Sequence, residues 1–171
     1  MELNRHLFSE GFLFNKKNML LLAFLGIFPN VLGLVSMPTI FGFRIHVFQY
    51  LIFLSALLFG PFGGMVSGGF GSLYTAFALN NPYIIIGNIL LGGIFAILIK
   101  KGIPIIRAGL FAYAIQVPWL FYTDVYLAGM PQNAVVNIVI ALLIGNIFWL
   151  FLAKHSFKRI QELFQPKSTQ F

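Results

Sequence analysis

The chain alternates long apolar runs with short breaks of polar, glycine or proline residues, and each run approaches the roughly 20 residues that a helix needs to cross a bilayer. The pattern predicts six such spans, over Asn18–Ser36, Arg44–Phe59, Phe62–Leu79, Pro82–Ile99, Pro104–Tyr122 and Asn133–Ala153. Pro38, Pro61, Pro82, Pro104 and Pro131 fall at or beside predicted ends, where a missing N–H costs least. Pro29 and Pro118 lie inside spans and predict kinks.

Within this pattern, "LLFGPFGGMVSGGFGS" places Gly60, Gly64, Gly68 and Ser72 at four-residue intervals. Residues spaced this way stack along one helical face. That face carries almost no side chains, so it predicts close approach by another backbone, either inside the bundle or from a partner helix. Ala141 and Gly145 repeat the spacing in the last span.

Composition strengthens the membrane reading. Of 171 residues, 59% are hydrophobic and 9% are charged; a soluble domain carries about 25% charged residues. The expected fold is therefore an all-α membrane protein, a compact bundle of six transmembrane helices. Residues 1–17 are expected to form an amphipathic segment, 18–153 the membrane domain and 154–171 a basic tail.

Charge then orients the bundle. With the N-terminus in the cytoplasm, ten of the eleven basic residues lie in inner segments: Arg5, Lys16, Lys17, Lys100, Lys101, Arg107, Lys154, Lys158, Arg159 and Lys167. Arg44 alone falls outside. This asymmetry places both termini in the cytoplasm. It also accounts for the net charge of +7 without nucleic acid as a partner.

Uncommon polar side chains gather in the outer half of that topology. Arg44, His46 and Gln49 open the second span; Asn80, Asn81 and Tyr83 join the third to the fourth, with Asn88 further in. Gln116, Trp119, Tyr122 and Asp124 end the fifth span, and Asn133 and Asn137 begin the sixth. Polar groups at membrane depth face the protein interior or a wet cavity. An apolar cup with a few placed amides is the usual makeup of a small-molecule site. Arg44 and Asp124 would either pair with each other or meet opposite ends of a zwitterionic ligand.

Catalytic chemistry has little to work with. The acids are Glu2, Glu10, Asp124 and Glu162, and cysteine is absent. The glycine-rich stretch lacks the GK[ST] ending of a phosphate-binding loop. No second histidine lies near His46 to make a metal pair. The sequence therefore predicts no enzyme, no cofactor and no metal, and uphill transport would need energy from a partner.

The turn "LLFGPFGGMVSGGFGSL" followed by "YIIIGNILLGGIFAILIKKG" resembles the substrate-binding S-component of energy-coupling factor (ECF) transporters. The resemblance implies capture of a vitamin or related micronutrient from outside a prokaryotic cell membrane. It implies a pocket at Asn80, Asn81, Tyr83 and Asn88, then Trp119, Tyr122 and Asp124, then Asn133 and Asn137. It also implies docking on a transmembrane coupling protein with two ATPase subunits, with the glycine ladder or the Ala141–Gly145 pair as the docking face. One departure is visible: the first span has Ile27 four residues after Ala23 and Asn30 four after Gly26, where many members carry paired small residues. Competing expectations are a membrane scaffold of the rod-shape-determining MreD type and a small channel or carrier.

Overall fold

The computed structural model describes residues 16–34, 37–38, 44–45 and 48–164. Most of the predicted amphipathic segment, the end of the basic tail, His46 and the Arg44 side chain lie outside the described residues. Helix α1 spans Lys16–Leu34, α2 Phe48–Gly71, α3 Leu73–Ala78, α4 Tyr83–Lys100, α5 Ile105–Tyr122 and α6 Gln132–Phe164. Between α1 and α2, Met37–Pro38 (β1) pairs antiparallel with Arg44–Ile45 (β2). A π-helical turn, Thr123–Leu127, continues α5. Pro29 and Pro118 sit inside α1 and α5.

Among the described residues, four helical stretches are long and apolar enough to cross a membrane: Phe48–Ala78, Tyr83–Lys100, Ile105–Leu127 and Gln132–Leu163. The fold is thus all-helical with the stature of a membrane protein. The predicted second and third spans meet inside α2, which Gly60, with φ 68° and ψ −156°, breaks into two helical arms. That backbone is open to glycine and strained for other residues. The chain turns back on itself there. Ser55 Oγ donates to the Gly63 carbonyl at 2.9 Å, across a separation that a straight helix would stretch to about 12 Å.

The first arm, residues 48–59, is about 18 Å long at about 1.5 Å per residue, short of a hydrocarbon core of about 30 Å. It is mostly apolar and buried nearly all round: Phe48, Leu51, Ile52, Phe53, Leu54, Ala56, Leu57 and Leu58 are all buried, as are Gln49 and Ser55. A helix of that kind belongs inside a bundle rather than on its rim. Phe53 meets Phe95 of α4 edge-on, with centroids 5.0 Å apart, and Tyr50 reaches Trp149 of α6 at 6.4 Å.

The second arm forms the glycine seam. A Cβ on Gly64 would collide with the Gly92 backbone of α4, and one on Gly68 with the Asn88 backbone. Ser72 Oγ is turned back onto the Gly68 carbonyl at 2.6 Å. The ladder is therefore filled by α4 of the same chain. Gly145 is likewise internal, beside Gln49 and Trp149.

α1 packs along the second arm in the same direction. Ser67 Oγ donates to the Leu25 carbonyl at 2.8 Å, and, higher up, Asn30 Nδ2 donates to the Phe70 carbonyl at 2.7 Å. The Tyr74 amide returns a bond to Asn30 Oδ1 at 2.7 Å. At the opposite end of the bundle, Lys17 Nζ donates to the Leu163 carbonyl at 3.0 Å and joins the start of α1 to the end of α6. Lys16, Lys100, Lys101, Arg107, Lys154, Lys158 and Arg159 are exposed.

Candidate functional site

The turn between α3 and α4 separates two adjacent asparagines. Asn80 takes the left-handed conformation (φ 48°) and is exposed, a role Asn fills better than most residues. Asn81 points inward and is 2% exposed. Its Nδ2 donates to Asp124 Oδ1 at 2.7 Å, while its Oδ1 accepts the Tyr83 amide at 3.2 Å. The second bond is a local Asx turn that starts α4; the first reaches the π turn after α5.

Below that pair the same seam is stitched twice more. Trp119 Nε1 donates to the Tyr83 carbonyl at 3.1 Å, and Gln116 Nε2 donates to the Gly87 carbonyl at 2.8 Å. Gly87 makes room for them: a Cβ there would stand 3.2 Å from the Trp119 ring. Thr123 Oγ1 donates to the Trp119 carbonyl at 2.8 Å. Asp124 is 5% exposed. The Ala128 amide donates to the Thr123 carbonyl at 2.8 Å and closes the π turn, and the Met130 amide donates to the Asp124 main-chain carbonyl at 2.8 Å just beyond it.

The structure thus brings together Asn81, Tyr83, Gln116, Trp119 and Asp124 where α4 begins and α5 ends. Asn88 is buried nearby on α4, its backbone against Gly68. Asp124 has Asn81 as its partner, and the expected Arg44–Asp124 pairing involves a side chain outside the described residues. Asn133 and Asn137, predicted to share the cup, are both exposed, and Asn133 Oδ1 accepts the Ala134 amide at 2.9 Å. Tyr122 is 56% exposed and leans on Tyr126, with centroids 5.7 Å apart. Gln49 is buried against α6 beside Gly145. Ala141 is half-buried.

One acceptor in the seam remains open: Gln116 Oε1 is buried with no hydrogen-bond partner. A buried amide oxygen of this kind costs about 1–3 kcal/mol unless something donates to it. The half-buried Trp119 lies beside it across Gly87. Sequence reasoning missed Thr123, whose signal was its position three residues from Leu120 and four from Trp119. Asn146 and Trp149 stand three apart in an otherwise greasy stretch of α6, and both are buried. Among the described residues, no group of three or more His, Cys, Asp or Glu could hold a metal ion.

No family model, curated protein or solved structure matches the chain.

Proposed function

We propose that the protein is the membrane-embedded, substrate-binding S-component of an ATP-driven ECF-type importer, taking a vitamin or related micronutrient from outside a prokaryotic cell. The observation that carries the reading is Gln116 Oε1, a buried acceptor without a partner beside Trp119, in the half of the bundle assigned to the outside. In this reading the chain runs through the bundle six times, the short first arm of α2 among them, with both termini in the cytoplasm. The parallel course of α1 and the second arm of α2 supports it, because the chain has to return between them. The exposed cations near the Lys17–Leu163 contact suit the inner surface. With no phosphate-binding loop in the sequence, uphill transport draws on a coupling protein with two ATPase subunits.

The test is native mass spectrometry of protein released from nanodiscs, after purification from cells grown on rich medium. A small organic molecule is expected on the wild type and lost from Gln116→Leu, with the folded state of both checked by circular dichroism. A wild type that carries no such molecule, and that a panel of water-soluble vitamins leaves unshifted in thermal unfolding, overturns the proposal.

A second reading has its own support. Asn81, Asp124 and Trp119 all spend polar atoms on bonds within the chain, which suits a membrane scaffold of the MreD type whose outer half is closed. That reading predicts full thermal stability without any ligand.

A further inference from the structure

Halfway along α6, near where the first arm of α2 crosses it, two buried polar side chains stand three residues apart. Asn146 is 0% exposed, and neither its Nδ2 nor its Oδ1 has a hydrogen-bond partner. Trp149, one turn on and 8% exposed, has a buried Nε1 with none either. Gln49 of the arm, also buried, faces the same place. From the point where a Cβ on Gly145 would stand, Gln49 Oε1 is 3.7 Å away and Trp149 Nε1 3.8 Å.

We infer that this crossing holds bound water. Three atoms demand partners: two donors, Asn146 Nδ2 and Trp149 Nε1, and one acceptor, Asn146 Oδ1. Water is the ligand that offers both roles at once, and a buried water needs about 2–4 polar neighbours to be retained. The groups are uncharged, which suits water over an ion. The missing Cβ of Gly145 leaves a methyl-sized gap bordered by the polar atoms Gln49 Oε1 and Trp149 Nε1. The inference is independent of the outer seam and of any solute bound there. The arm then meets α6 partly through water, beside direct contacts such as Tyr50 Oη to Ser156 Oγ at 2.9 Å.

The two tryptophans supply an internal control. In protein labelled with ¹⁵N-tryptophan, in nanodiscs, each indole N–H gives one signal, assigned by Trp149→Phe. The Trp149 signal is expected to show a cross-peak to water in a water-selective exchange or NOE experiment. The Trp119 signal, committed to the Tyr83 carbonyl, is expected to show a weaker one. A Trp149 signal with no water contact overturns the inference. Asn146→Leu, with the same number and branching of side-chain heavy atoms, gives a second test. If the site is wet, removing the bridging amide weakens the Trp149 cross-peak and lowers the unfolding temperature. If it is dry, the substitution removes two orphaned atoms and the unfolding temperature rises, which also overturns the inference.

Discussion

Two polar regions in one apolar bundle are built on opposite rules. Where α4 begins and α5 ends, Asn81, Trp119, Thr123 and one side of Gln116 reach defined partners within the chain. At the crossing of the α2 arm with α6, Asn146 and Trp149 are just as deeply buried and reach none. Both sets are amides and indoles in greasy surroundings, so residue type does not separate them. Their partners do. Trp119 and Gln116 stand within reach of the Tyr83 and Gly87 carbonyls across the seam, and each of those oxygens keeps a lone pair beyond its helical bond. Tyr113 uses the Val139 carbonyl of α6 in the same way. Asn146 and the Trp149 indole reach no such oxygen.

The largest effect that follows is at Asn81. Asn81→Leu removes the partner of the buried Asp124 carboxyl and the cap of the Tyr83 amide together. A hydrogen bond to a charged group contributes about 1.5–3 kcal/mol, and a loss of about 3 kcal/mol of stability is expected, read as a fall in the midpoint of thermal unfolding. A change below about 0.5 kcal/mol would mean that the outer seam is not held by these bonds, and the contrast would collapse.

Trp119→Phe should come next. It keeps the ring and removes the bond to the Tyr83 carbonyl, so a cost of about 1 kcal/mol is expected in the same assay. The matched change at the deep site, Trp149→Phe, removes a donor with no protein partner and should cost less than Trp119→Phe. Equal losses would erase the difference between the two regions.

Much of this plan was legible in the order of residues, and the reasons it stopped being legible are physical. Gly60, Pro82, Pro104 and Pro131 mark turns or helix starts because each changes what the backbone can do locally. The four-residue rhythm of Gly64, Gly68 and Ser72 gave the face that α4 covers, because Cβ atoms at those spacings share one side of a helix. The short first arm did not show, since a mostly apolar stretch reads the same whether it crosses lipid or lies within protein. The two neighbours Asn80 and Asn81 could not be told apart, because the bond to Asp124 closes across 43 residues. Asn133 and Asn137 were grouped with the cup by helical spacing, which places them on a common face but does not say which way that face looks; it is exposed.

The smallest effect offers the finest comparison. Gly26 of α1 and Gly145 of α6 are both buried helical glycines with room for a methyl group: the nearest atoms to an added Cβ stand at 3.7 Å in each case. At Gly26 those neighbours are Phe70 Cβ and Val66 Cγ1, whereas at Gly145 they are Gln49 Oε1 and Trp149 Nε1. Alanine in place of a helical glycine stabilises by about 0.5–1 kcal/mol through the unfolded chain alone. Gly26→Ala should show that whole gain, since its methyl enters a dry apolar gap. Gly145→Ala receives the same backbone gain but intrudes on the water that serves Asn146 and Trp149, so its net change should lie near zero. The pair therefore compares wet and dry gaps with the backbone contribution held constant. If both substitutions raise the unfolding temperature equally, the gap at Gly145 is as dry as the one at Gly26, and the two polar regions differ only in which bonds they make.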